Sequence, residues 1–126
     1  QYYLERTRES EKMLDKLTAK GAYELLRIQF ALHMSEQQNK RWDRKFYLMM
    51  FDIPEDRRRF RDFFRKLLRK NGFCMLQQSV WMTRYNPHPA IDALLRHLKL
   101  ERYFAIMEVH YDSCSPQIQR KFKEQN

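Results

Sequence analysis

From the middle of the chain onward, the pattern of apolar and polar residues predicts a series of strands and helices. Residues 46–53 are almost all apolar or aromatic and end at Pro54, which is typical of a strand buried on both faces. Apolar residues then recur every three or four positions across residues 55–71, which predicts an amphipathic helix. Its acidic start and basic end suit the helix dipole, and Asn71-Gly72 predicts its stop.

The following residues complete the order strand, helix, strand, strand, helix, strand. Residues 72–85 predict a hairpin that turns near Gln77 to Ser79, and residues 91–98 predict a second amphipathic helix. Residues 102–112 alternate as a fourth strand. This is the order of an α+β, ferredoxin-like βαββαβ fold, in which two helices cover one face of an antiparallel sheet. We expect a partner to cover the other face, most simply a second copy of the chain in a homodimer.

Residues 1–41 predict a helical N-terminal extension and linker, and residues 42–126 the ferredoxin-like domain with a C-terminal tail. The first 20 residues indicate one polar helix, and a second helix is expected between Gly21 and Ser35. The residues expected on the apolar face of the second helix are Leu25, Leu26, Gln29, Phe30 and His33. We expect this extension to pack on the domain or on its dimer mate.

The positive charge of the chain favours an anionic binding partner, and nucleic acid is the first candidate. The formal net charge is +9, the sequence pI is about 9.8, and 14% of residues are aromatic. No window approaches the run of about 18 apolar residues that spans a bilayer, and no signal peptide is recognised, so we expect a cytoplasmic protein without membrane association. Cys74 and Cys114 lack the spacing of a disulfide framework or zinc site.

The positive charge is concentrated on the helix predicted at residues 55–71. Guanidinium groups fork onto phosphate oxygens, and a basic stripe can follow a double-stranded DNA backbone without reading its bases. The alternative is a solvated helix surface that binds nothing. The residues predicted to bind phosphate are Arg57, Arg58, Arg59, Arg61, Arg65, Lys66 and Arg69.

Four motifs in this order resemble the CRISPR-associated Cas-two family, the small subunit of the spacer-acquisition integrase. They are the strand-ending D-I-P-E, the arginine helix, N-G-F and L-Q-Q-S-V-W, and the resemblance extends over residues 44–112. It implies a homodimeric scaffold that bridges integrase dimers on double-stranded DNA. The CRISPR integrase subunit would then carry out the transesterification.

The same core also resembles the C-terminal domain of PaaX-type transcriptional repressors. Their W-D-x-x-aromatic lead-in is similar to Trp42, Asp43 and Phe46, and Leu17 to Gly21 is compatible with the tail of a winged helix. This resemblance implies the alternative function, which is binding of an operator sequence. The two interpretations share the fold and differ in the partner.

Asp52, at the end of the first strand, is the candidate catalytic and metal-binding residue. In the dimers that the first resemblance implies, the two copies of Asp52 lie close together and could hold Mg²⁺, which prefers oxygen ligands. A metal-dependent endonuclease is therefore the enzymatic hypothesis, with the scaffold favoured. Alternatively, Asp52 or Asp56 caps the arginine helix, and Glu55 is a partner of its dipole.

The polar hairpin supplies the predicted dimer interface. Its residues could form hydrogen bonds across a dimer, or they could simply form the exposed side of the hairpin. The predicted interface residues are Gln77, Ser79, Val80 and Trp81.

Overall fold

The computed structural model describes the backbone of residues 2–125 and the side chains of residues 20–123. Three short 3-10 turns, at Glu55–Arg57, Glu101–Tyr103 and Tyr111–Ser113, connect the longer elements. Those elements are, in chain order, α1 (Tyr2–Gln38), β1 (Lys45–Phe51), α2 (Arg58–Lys70), β2 (Cys74–Gln77), β3 (Val80–Thr83), α3 (Ala90–Leu98), β4 (Phe104–His110) and α4 (Pro116–Gln125).

The four strands form one antiparallel sheet in the order β2-β3-β1-β4. Met49 of β1 lies between Trp81 of β3 and Ile106 of β4, so the most apolar strand occupies the centre of the sheet. The predicted α+β, ferredoxin-like fold is confirmed, as is the hairpin turn after Gln77. Gly72 has a φ of 88°, which explains why a glycine follows α2.

Helices α2 and α3 cover one face of the sheet. Phe64 and Leu68 of α2 and Leu94 of α3 are fully buried, together with Met49 from the sheet below. The apolar spacing seen in the sequence therefore marks the faces that pack on the sheet. Among the helices of residues 2–125, none is both long enough and apolar enough to cross a membrane.

Helix α1 adds a further layer on α3, and it differs from its predicted form. The helix runs without a break from Tyr2 to Gln38, so the predicted boundary near Gly21 is wrong. The buried side chains are Phe30 and Met34, whereas Leu25 is 54% exposed. Phe30 and Leu26 of the predicted face do pack on the core, whereas Leu25 and Gln29 are exposed and Met34, which was not predicted, is buried.

The second face of the sheet is covered in part by the chain itself. Phe122 of α4 is buried against Phe46, Cys74 and Met82 on this face. The predicted C-terminal tail is therefore a helix that buries apolar residues, and it covers part of the face on which we predicted a partner. A partner on the remainder of this face stays a prediction. On the same face, Met107 remains 49% exposed opposite Leu48, in the middle of β1.

Candidate nucleic-acid interface

Asp52 directly follows the central strand, and the neighbouring strands hold the backbone there. The Phe51 amide donates to the Ser79 carbonyl at 3.1 Å, and the Asp52 amide donates to the Tyr103 carbonyl at 3.0 Å. The Asp52 side chain is exposed and helps to line an open cavity of about 380 Å³, together with Ser79 and Arg102. Asp52 is thus accessible to a ligand and rigidly positioned by its backbone.

The helix-cap alternative for Asp52 and Asp56 is wrong. The 3-10 turn that follows Pro54 has no side-chain cap hydrogen bond, and neither has α2, which begins after Arg57. The first amides of these helical segments are therefore not satisfied by either aspartate. Asp52 consequently has no structural role of this kind.

Glu55 is the partner of an arginine rather than of a helix dipole alone. Arg61 donates a hydrogen bond of 2.8 Å to the Glu55 carboxylate. This hydrogen bond is the main reason that the pKa of Glu55 is lowered, and it is also the main reason that the pKa of Arg61 is raised. The negative charge of Asp52 also raises the pKa of Arg61. The charge of Arg61 is therefore partly balanced within the chain.

Near Asp52, a single copy of the chain supplies too few free carboxylate ligands to hold a Mg²⁺ ion. Mg²⁺ sites commonly combine one or two carboxylates with water and phosphate oxygens. Near Asp52, the carboxylate of Glu55 is engaged by Arg61, whose positive charge opposes cation binding. Among the described side chains, no group of three or more histidines, cysteines, aspartates or glutamates could hold a metal ion. A magnesium site would need Asp52 from a second copy.

Four of the predicted phosphate-binding residues form one row that begins at the residue before α2 and continues along the helix. Arg57, Arg61, Arg65 and Arg69 are spaced four residues apart, which places them on one side of the helix. The guanidinium of Arg57 lies 5.7 Å from the ring centroid of Tyr103, and that of Arg69 lies 5.6 Å from the ring of Trp81. These contacts and the Arg61 ion pair hold three of the four side chains, those of Arg57, Arg61 and Arg69, against the domain.

The other three predicted residues, Arg58, Arg59 and Lys66, are exposed. They form no ion pair with any described carboxylate, and Lys70 adds a fourth exposed cation that was not predicted. We refer to Arg58, Arg59, Lys66 and Lys70 as the outer basic face of α2. This face is the part of the helix best suited to contact phosphate groups.

Arg102 is a second residue that the sequence analysis missed. Its guanidinium lies 5.5 Å from the ring centroid of Tyr103, the ring that Arg57 also approaches. Because β4 is antiparallel to β1, the residues that precede β4 lie beside the end of β1. The predicted strand order could therefore have placed Arg102 near Asp52.

The predicted dimer-interface residues separate into two groups. Gln77 and Ser79 are exposed at the hairpin, and Val80 is partly buried. Trp81 is only 1% exposed and belongs to the core beneath α2, so its assignment to a dimer interface is wrong. The alternation along β3 turns Trp81 to the helix side of the sheet, which the isolated hairpin pattern did not reveal.

Comparison with known proteins identifies the domain. Residues 39–120, more than half of the chain, match the family model described as the PaaX protein central Cas2-like domain. The predicted core shared by Cas-two and PaaX-type proteins is thereby confirmed, although the description assigns this domain to the centre of PaaX and not to its C-terminus. The match supports a Cas2-related or PaaX-type role. Neither the curated proteins nor the solved structures gave a match.

Proposed function

The chain belongs to the family of the PaaX protein central Cas2-like domain. From this premise, we propose that it functions as part of a DNA-binding transcriptional regulator of the PaaX type. The observation that carries the proposal is the outer basic face of α2, which lies on a domain of this family. The match begins at residue 39 and includes Trp42 and Asp43, the lead-in that resembles PaaX-type proteins. The net charge of +9 agrees with an anionic partner.

In this proposal, the outer basic face contacts the phosphates of a DNA duplex. Thirteen residues of α2 correspond to a length of about 20 Å at roughly 1.5 Å per residue, which is long enough for several phosphate contacts. Such contacts fix the position of a protein on DNA and raise its affinity, but they do not read sequence. Recognition of a particular operator would therefore use contacts outside α2.

A salt series with a mixed-sequence duplex tests this role. The test variant is Arg58→Gln/Arg59→Gln/Lys66→Gln, and the control variant Arg96→Gln/Lys99→Gln/Arg120→Gln removes three exposed charges elsewhere. Each phosphate contact contributes about 0.9 to the slope of log K against log salt, so the test variant should reduce the slope by up to about 2.7. The control should retain the slope of the wild type. An equal reduction in both variants would contradict a specific role for α2.

The CRISPR scaffold is the second candidate, and one observation favours it. A patch on the second face of the sheet extends from the middle of β1 toward Asp52, with Met107 and Ala105 exposed and Met50 and Val80 partly buried. A second copy of the chain on this patch would bury apolar surface and bring two Asp52 side chains toward each other. A homodimer that bridges integrase subunits would use this arrangement.

Size-resolved binding with a CRISPR integrase subunit distinguishes the two candidates. A stable complex of the chain, the integrase and duplex DNA would favour the scaffold. Absence of that complex, together with preferential binding to the promoter of the protein's own operon, would favour the PaaX-type regulator. The endonuclease hypothesis is tested separately, because Asp52→Ala should abolish any Mg²⁺-dependent cleavage while it leaves DNA binding unchanged.

A further inference from the structure

A second cluster of cations lies at the opposite end of β1 from Asp52. It lines a cavity of about 360 Å³ and combines residues from four separate parts of the chain. We call it the Arg84 cluster, and its members are Trp42, Arg44, Arg84, Tyr111, Phe122 and Lys123. None of these residues belongs to the outer basic face of α2, so the two surfaces can be tested separately.

Aromatic rings form the floor of the Arg84 cluster. The Trp42 ring stacks on Phe122 at 6.3 Å between centroids and meets Tyr111 edge to face at 5.3 Å. The indole N–H of Trp42 donates to the Lys45 carbonyl at 2.8 Å, which fixes the orientation of the ring. The floor is therefore built before any ligand arrives.

Arg84 lies among three aromatic rings, two from the floor and that of the neighbouring Tyr85, with its charge unbalanced. Its guanidinium is 4.7 Å from the Phe122 centroid, 5.9 Å from that of Trp42 and 5.7 Å from that of Tyr85. Aromatic faces stabilise a cation without neutralising it. Arg84 forms no ion pair with a described carboxylate, and its buried Nε atom lacks a hydrogen-bond partner. The arginine is thus held in place while its charge remains available.

Two more cations complete the wall of the cavity. The Arg44 guanidinium lies 4.8 Å from the Tyr111 centroid, and the Arg44 backbone adopts a φ of 63°, which is uncommon for a residue other than glycine. Arg44 also pairs with Asp112 at 2.9 Å, where both side chains are mostly exposed. Lys123 of α4 contributes the third cation. The cavity therefore has three cations and one nearby carboxylate.

The positive charge continues on the other side of Trp42 and Arg84. A smaller cavity of about 160 Å³ shares these two residues and is also lined by Lys40, Arg41 and Asp43. The Asp43 carboxylate is already engaged, because it accepts a hydrogen bond from the Lys45 amide at 3.0 Å. Including Arg84, five basic residues thus outnumber the two carboxylates of Asp43 and Asp112, so the surface around the two cavities is positively charged.

This composition selects for a ligand with several negatively charged oxygens. An arginine guanidinium binds phosphate through two parallel hydrogen bonds, and neighbouring cations favour a dianion over a single carboxylate. A cavity of this size is within the usual range for small ligands. We propose that the Arg84 cluster is a binding site for a phosphate group, carried by a small phosphorylated molecule or by a DNA strand.

Calorimetric titrations with pyrophosphate and ATP, and binding to a mixed-sequence duplex, test this site in the full chain. Arg84→Gln should weaken the affinity of the phosphate probe at least tenfold, and Arg84→Lys should restore only part of it because lysine lacks the planar fork. Lys123→Gln should cause a smaller loss. Arg96→Gln removes the same charge from the exposed side of α3, outside both basic surfaces, and should leave the affinity for pyrophosphate and ATP unchanged.

The outcomes distinguish a small phosphorylated molecule from a DNA strand as the source of the phosphate group. Loss of pyrophosphate or ATP binding in Arg84→Gln supports a small-molecule site, and loss of duplex binding alone supports the same chemistry with DNA as its source. Equal binding of every probe by wild type and Arg84→Gln overturns the proposal. Thermal unfolding shows whether Arg84→Gln is folded. If it is not, the exposed variants Arg44→Gln and Lys123→Gln provide the same test.

Discussion

The two ends of β1 both collect arginines, but they hold them in different ways. At the carboxyl end, Arg61 pairs with the carboxylate of Glu55 and is influenced by the charge of Asp52. At the amino end, Arg84 packs among aromatic rings and forms no ion pair with a described carboxylate. A carboxylate balances the charge of an arginine, whereas a ring only positions it, so Arg84 retains more of its positive charge for a ligand than Arg61 does.

This comparison shows that the number of arginines is a poor guide to where an anion binds. Residues 57–61 contain four arginines, and the sequence analysis placed the phosphate contacts there, yet the charge of Arg61 is balanced by Glu55. Arg84 is isolated in the sequence and lies in the better-defined cavity. The partners of each guanidinium decide which arginines remain available.

The largest expected difference between the two ends is in stability. Phe46 is fully buried between Trp42 and Phe122, so Phe46→Ala should lower the free energy of unfolding by about 3–5 kcal/mol. Tyr103 is only partly buried beside Arg57 and Arg102, so Tyr103→Ala should cost about 1–2 kcal/mol. Urea unfolding at pH 7 measures both. Equal losses in the free energy of unfolding would show that the aromatic residues at the amino end stabilise the fold no more than Tyr103 does at the carboxyl end.

An intermediate effect is expected at alkaline pH from Tyr47, at the amino end of β1. Burial, and then the negative charges of Asp43 and Glu108, raise the pKa of Tyr47 to about 12. In the unfolded chain the proton leaves near pH 10. The contribution of Tyr47 to stability is therefore complete below pH 10 and is lost as the pH rises toward 12.

The variant Tyr47→Phe isolates this effect. It should remove the part of the alkaline loss of stability that comes from Tyr47, so the difference from wild type should change between pH 9 and pH 11.5 in urea unfolding. A titration of tyrosinate absorbance in the folded protein should also lose its last step. If the variant and the wild type lose stability in parallel across this range, the hydroxyl is not protected by the fold.

The smallest effect is expected from the ion pair at the carboxyl end. The hydrogen bond from Arg61 lowers the pKa of Glu55, so the pair stabilises the fold at pH 7 and loses this contribution as the pH falls through the folded-state pKa. Because Glu55 is exposed, water screens the pair and the effect should be small. Urea unfolding of wild type and Glu55→Gln should differ slightly at pH 7 and converge as the pH falls below the lowered pKa of Glu55. A difference that grows at low pH would reverse this assignment.

Local patterns predicted the domain well. The apolar run before Pro54, the helix stop at Gly72 and the hairpin turn after Gln77 all depend on residues close together in the chain, and all are confirmed. The candidate site was predicted less completely. The sequence identified the basic residues of α2, but it could not separate Arg58 and Arg59, which are exposed, from Arg61, which is paired.

The sequence by itself determined the order of the core strands and helices, the fold class and the strong positive charge, because periodicity, turn residues and composition are properties of short segments or of the whole chain. Only the tertiary structure decided that α4 covers part of the sheet and that Trp81 lies in the core. It also brought Trp42, Arg84 and Phe122 into contact. Such contacts join residues about 40 positions apart, and their formation depends on how every intervening element packs.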